Sequence, residues 1–346
     1  MSLFKIICAS LPCLATAFSR TPDTRSPLDI PYTDFGPSFD LSTSMLLGSG
    51  LPVQSYLYSS YLAAENGQNY FTIACHAYNA QPGTMNSFAS ILSIDTGEFF
   101  GINNLIPETI TNNTRYDIDG GGVRLFSPSE NLLDVHSAVS TVPGASFNLT
   151  FEPRGPTLYH GASGIHYWGN EITSQWAHPQ MWTTGTITIN GTELAIVPER
   201  SLTWFDRQWG RGIAYRGWFW YNIFLSNGMT LAAWRTFPVD ETPKISSFAT
   251  VLFPDGHHEI HTLDPDVHQS DPFVVSETNL TYYGSYKLSF PTLKLELDVK
   301  LPVKAGELTF QNQVTATFFE GFAEYTGTYK GKSIKGFGVA EQVYGA

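Results

Sequence analysis

Charge is scarce in this chain: Asp, Glu, Lys and Arg make up 14% of its 346 residues, well below the roughly 25% usual for soluble domains. The deficit falls on the cations, with 19 Lys and Arg against 31 Asp and Glu and a formal net charge of −12. No Lys/Arg run interrupts that balance, so the field repels polyanions and argues against a nucleic-acid partner. Cysteine is equally sparse. Cys8 and Cys13 lie in the amino-terminal leader, which leaves only Cys75 and excludes an intramolecular disulfide in a processed chain. Cys75 stands in the alternating run "FTIACHAY", the setting of a small buried side chain rather than of a nucleophile. No stretch reaches about 18 consecutive apolar residues, so stable membrane insertion by a helix is not expected. Helical periodicity, a phosphate-binding loop, a dinucleotide fingerprint and a nucleophile elbow are all missing.

What is present points to antiparallel β structure. Hydrophobic residues reach 42% and aromatics 14%, with 30 Gly and 21 Pro to mark turns. Asn66-Gly67, Asn227-Gly228 and Asp255-Gly256 each separate two β-rich runs, the commonest short hairpin chemistry. The start, "MSLFKIICASLPCLATAFSR", combines an early Lys5, an apolar run and small residues, which predicts a secretory signal over residues 1–19, cut after Ala17 or Ser19. Sequons at Asn112, Asn148, Asn190 and Asn279 are then candidate glycosylation sites in a secreted or luminal protein. A weak echo joins "WTTGTITINGTELAI" to "EYTGTYKGKSIKGFG", with Gly185 and Gly327 standing 142 positions apart. That spacing suggests two β-barrel units, 28–197 and 198–346, joined just before "SLTWFDRQWG".

All eight tryptophans fall between residues 168 and 234, which predicts either an aromatic seam between barrels or a pocket for a hydrophobic ligand. The same segment holds His166, Asp206 and Arg207. Strand alternation puts Trp204, Asp206 and Gln208 on one face and Phe205, Arg207 and Trp209 on the other, so Asp206 and Arg207 point apart. By the same rule Trp218, Trp220 and Asn222 share a face, as do His166 and Trp168, while Tyr58 and Tyr61 take opposite faces. Asp206, His166 and Tyr58 are the candidate catalytic residues. Tyr61, Trp168, Trp204, Arg207, Trp218, Trp220 and Asn222 are the candidate substrate contacts. "HHEIH" aligns His257, Glu259 and His261 directly after a turn, a pattern that fits an exposed hairpin better than a metal site, and no metal is expected.

The strings "SLTWFDRQWG", "GWFWYNIFLSNG", "SYLYSSYLAAENGQNYF" and "YTGTYKGKSIKGFGVAEQVYG" together resemble the carotenoid-hydratase-like (hydroxyneurosporene synthase-like) family of double lipocalin-like proteins. Leu57 stands where members of that family often carry Trp. The resemblance implies an all-β fold of two lipocalin-like antiparallel barrels with a substrate site at their junction and no cofactor. With the leader and sequons, it is strongest to a fungal branch of Diels-Alderases and kievitone hydratase-like proteins acting on hydrophobic terpenoid- or polyketide-like small molecules. The first expectation from it is a pericyclase, a hetero-Diels-Alder enzyme of the tropolone sesquiterpenoid type joining a quinone methide to an alkene. A hydro-lyase adding water to a prenyl or polyene double bond and a non-catalytic lipocalin-type carrier are the alternatives, and the oligomeric state is left open.

Overall fold

The computed structural model describes residues 25, 39–46, 51–79, 83–107, 115–237, 246–311, 313 and 317–345. The expected signal at 1–19 and the sequon at Asn112 lie outside these residues. Strands dominate from Val53 onward. The first half supplies β1 (Val53–Ala63), β2 (Asn69–Asn79), β3 (Thr84–Ser93), β4 (Phe99–Pro107), β5 (Asp117–Gly120), β6 (Val123–Phe126), β7 (His136–Val142) and β8 (Ala145–Pro153). It continues with β9 (Leu158–Tyr159), β10 (Ile165–Trp168), β11 (Glu171–Ile189), β12 (Thr192–Ala195) and β13 (Leu202–Gly210). The second half supplies β14 (Gly217–Leu225), β15 (Thr230–Thr236), β16 (Ser247–Leu252), β17 (His258–Thr262) and β18 (His268–Val274). After these come β19 (Thr281–Phe290), β20 (Leu295–Lys300), β21 (Glu307–Thr309), β22 (Thr317–Tyr329) and β23 (Lys332–Tyr344).

The strands form two antiparallel sheets, in the orders β4-β3-β2-β1-β13-β11-β8-β7-β6-β5 and β17-β16-β15-β14-β23-β22-β20-β19-β18. The connectivity is the same in both: four strands in succession run from the middle to one edge, and the last strand returns to lie beside the first. The protein is thus two lipocalin-like barrels packed against each other. The three hairpins expected at Asn66-Gly67, Asn227-Gly228 and Asp255-Gly256 close β1–β2, β14–β15 and β16–β17. The join expected before residue 198 falls later. β13 is hydrogen-bonded between β1 and β11 and completes the first sheet, so the sheets part in the 211–216 loop. The physical reason is that each sheet protects its first strand by pairing it with its last.

Three apolar clusters follow from alternation along these strands. Tyr56, Tyr58, Trp176 and Phe205 fill the first barrel, and Phe219, Tyr221, Ile223 and Tyr325 fill the second. Leu57, Phe88, Ala177, Trp204, Trp220, Trp234 and Phe322 form the seam between them. The echo in sequence has a structural counterpart. Gly185 on β11 and Gly327 on β22 both lie one strand from the closing strand, and a Cβ at either would run into the neighbouring strand's backbone carbonyl, that of Asn148 or Glu296.

Candidate active site

A cavity of about 340 Å³ opens in the seam, bounded by β1, β2, β3, β10, β11 and β13 of the first barrel and by β14, β15, β22 and β23 of the second. Leu57, Phe88, Trp168, Trp218, Trp220 and Trp234 give it apolar walls. Trp168 packs edge to face on Trp218 and Trp234, with ring centres 4.9 Å and 6.1 Å apart, and Trp220 lies tilted against Trp234 at 5.7 Å. This arrangement presents ring faces as well as edges to a ligand. The acids in this wall are Asp206 and Glu341.

Asp206, 5% exposed, projects from β13 toward the seam. Its Oδ1 accepts a 2.8 Å hydrogen bond from Gln175 Nε2, and its Oδ2 accepts one of 3.2 Å from the Trp204 indole N–H. His160 Nε2 approaches Oδ2 at 3.2 Å without hydrogen-bond alignment, so that contact is electrostatic. The Trp234 indole donates to His160 Nδ1 at 3.2 Å, which leaves the proton of a neutral imidazole on Nε2, facing Asp206. These contacts hold both Asp206 oxygens as hydrogen-bond acceptors.

Glu341 enters from β23, directly opposite Trp220 on β14 and Glu320 on β22. Burial pushes its carboxyl up to about 8, and the negative charge of Asp206 pushes the same way, while Trp218 and Glu320 pull it back. Glu341 is therefore a neutral acid at neutral pH. Glu320 is 1% exposed, and its carboxyl bonds to that of Glu341 across the strand pair. Burial, then the adjacent Glu341, raise its pKa well above the usual range. Sequence reasoning missed His160, Glu320 and Glu341. In "FFEGF" and "GVAEQV" each glutamate interrupts an otherwise apolar run, as a solvent-facing strand position also does.

Of the residues singled out in the sequence, Asp206, Trp168, Trp218 and Trp220 line the cavity. Trp204 stands behind Asp206 as its donor. His166 lies behind the wall, its ring 5.8 Å from His160, and burial, then His160, hold it neutral. Tyr61 packs on Phe337 at 5.1 Å, and Asn222 ties the barrels together by donating to Ser59 Oγ at 2.8 Å; both belong to the seam outside the cavity.

Tyr58 and Arg207 do not join this cavity. Tyr58 is inside the first barrel, with its hydroxyl 2.8 Å from His136 Nδ1 and 3.1 Å from the Tyr116 hydroxyl. Arg207 is there too, because residues next to one another on a strand face opposite ways. Its guanidinium donates to the carbonyls of Ser44 (2.7 Å), Leu46 (3.3 Å), Ser55 (3.3 Å) and Gln208 (2.6 Å) and to Gln54 Oε1 (2.9 Å). It also lies 4.2 Å from the centre of the Tyr56 ring. It clasps the short helix α1 (Leu41–Ser44) to the barrel.

Cys75 lies on the cavity wall, with its thiol pushed well up by burial and then by Glu320, Glu341 and Asp206. Asn148, Asn190 and Asn279 are exposed. In "HHEIH", Glu259 bonds His261 at 2.7 Å, and the described residues contain no group of three or more His, Cys, Asp or Glu placed to hold a metal.

A protein-family model described as AttH-like matches residues 108–341. Kievitone hydratase of Fusarium solani subsp. phaseoli is 26% identical over 323 residues, which cover 91% of this chain and 87% of that protein. Dehydratase asqC of Emericella nidulans is 29% identical over 211 residues, 59% of this chain, and the match spans 60% of that protein's length. Among solved structures, kievitone hydratase from Nectria haematococca superposes with a TM-score of 0.81 at 24% identity, covering 94% of this chain and 96% of that one.

Proposed function

The chain belongs to the AttH-like family, and from that premise we propose that it is a cofactor-independent enzyme that adds water to, or removes it from, a hydrophobic small molecule. The observation that carries this reading is one apolar cavity lined by two buried acids in unlike surroundings: Asp206, hydrogen-bonded as an acceptor, and Glu341, neutral and able to donate. Groups whose environments differ in this way divide the acid and base roles between them. In hydration, Glu341 gives its proton to an alkene carbon and the adjacent carbon becomes cationic. Water attacks that carbon, and Asp206 takes the proton that the water loses. In dehydration, Glu341 protonates the departing hydroxyl and Asp206 removes a proton from the neighbouring carbon. In either direction, exchange with solvent returns a proton to Glu341 and takes one from Asp206. The faces of Trp168, Trp218, Trp220 and Trp234 suit a carbocation passing between them.

The sequence put pericyclic closure first, whereas the buried proton donor favours water chemistry. The aromatic walls favour cycloaddition as the second reading, because such a step needs only folded π partners and a dry cavity. Loss of water from a hydroxymethyl phenol or tropolone gives a heterodiene, so the same acids would generate what the walls then hold. Incubation with prenylated phenols and polyenes in water enriched in heavy oxygen separates these readings. The expected product is one water heavier, with the label in its new hydroxyl. A ring-closed adduct without label favours the pericyclase, and binding without turnover favours a carrier.

A further inference from the structure

We propose that Glu320 is a positioning residue for Glu341: it keeps its own proton and donates a hydrogen bond to the Glu341 carboxylate that forms when Glu341 protonates substrate. The inference rests on the acid–base reading of the cavity and names a residue that does not touch the ligand. Glu320 and Glu341 form a direct cross-strand pair on β22 and β23, with Cβ atoms about 4.5–5.5 Å apart by strand geometry. Glu341 lines the cavity and Glu320 does not. Among the described residues, the other titratable group acting on the pair is Asp206 from β13, which is not a cation. A buried carboxyl without a cation is held in its neutral form, and a neutral carboxyl carries one O–H donor.

The timing of the bond matters more than its existence. At rest both carboxyls are protonated, and the Glu320–Glu341 hydrogen bond joins two neutral groups. When Glu341 loses its proton, an anion appears in an apolar wall beside Asp206, and the Glu320 O–H donates to it alongside the Trp218 indole N–H. No proton crosses between the two glutamates; Glu341 recovers its own from cavity water. A hydrogen bond that strengthens as charge develops on its acceptor lowers the barrier rather than strengthening ground-state binding. The direction in which each carboxyl is shifted by the other agrees: Glu320 lowers Glu341, and Glu341 raises Glu320.

The test compares Glu320→Gln with Glu320→Met in the full chain, with Glu320→Leu as the alternative where Met does not fold. Glu341 ionisation is followed without substrate, by infrared difference spectroscopy across pH, its carboxyl band being identified by its loss in Glu341→Gln. Gln keeps a donor, so the midpoint should stay within about half a pH unit. Met and Leu remove it, so the midpoint should rise by about one unit, with a roughly tenfold fall in kcat for a step that charges Glu341. An unchanged midpoint in Met and Leu overturns the proposal. A fall in the midpoint also overturns it, since that is the sign of a Glu320 already charged at rest. The two readings fail separately. If Glu341→Gln leaves turnover intact, the acid–base reading falls, whereas the midpoint shift still decides the role of Glu320.

Discussion

Asp206 and Arg207 are chain neighbours with opposite surroundings, and substituting each should produce an opposite phenotype. Asn at 206 keeps one acceptor oxygen but turns its amide N–H toward either the Gln175 or the Trp204 donor. Asp206→Asn should therefore lose about 1–3 kcal/mol in denaturant unfolding, and turnover by the folded protein should fall by roughly 10² or more. Arg207→Met leaves four carbonyls and the Gln54 amide oxygen without their donor. Its unfolding free energy should drop by about 3 kcal/mol or more, while ligand affinity of the folded fraction, read by titration, stays the same. For Glu341, whose pKa is raised from 4.5 to about 8, the folded state holds more protons than the unfolded state between those values. The stability linked to this group is fully present below about 4.5 and is lost as pH rises through about 8. The rate should fall over the same upper limb as the donor ionises, and Glu341→Gln should abolish both turnover and that part of the stability slope. Asp206 was legible in the sequence because a charged side chain interrupts an aromatic run. Glu320 and Glu341 were not, because single acids in apolar strands look like ordinary solvent-facing positions until a second barrel covers them.

Strands show why part of the site escaped the sequence. Each inner strand of a two-barrel protein has two apolar faces, one toward its own core and one toward the seam. Alternation separates Trp204 and Asp206 from Phe205 and Arg207 correctly, yet it does not say which face looks into which cluster. Tyr58 and Arg207 were placed in the pocket for that reason and belong to the barrel interior. The hairpins were legible because Asn-Gly and Asp-Gly act locally, whereas the membership of β13 depends on a partner, β1, that lies about 150 residues earlier. The Thr-Gly-Thr echo was legible as a repeat but not as a steric requirement. Gly185 has φ +121°, and an added Cβ would meet the Asn148 carbonyl. Gly185→Ala should lower stability by about 1–3 kcal/mol, seen as a lower urea midpoint, without changing the pH profile of turnover.

At the scale of the whole molecule, three exposed sequons and the signal expected over residues 1–19 motivate a secretory route. Protein recovered from a secreting host should begin near residue 18 or 20 and lose mass on endoglycosidase treatment. A chain that keeps Met1 and shows no such loss sinks that expectation. Within the molecule, the two barrels close in the same way, each by returning its last strand to its first. Each of those last strands carries one acid of the cavity, Asp206 on β13 and Glu341 on β23. In a symmetric pair of identical subunits, the corresponding acids would share one environment and would gain or lose protons alike, leaving no distinction between donor and acceptor. Tandem linkage removes that constraint: once two half-molecules are written into one gene, a mutation changes one copy and spares the other. The unlike neighbours of Asp206 and Glu341 are what such divergence makes available: two acids on matching strands of a repeated frame, each in its own surroundings.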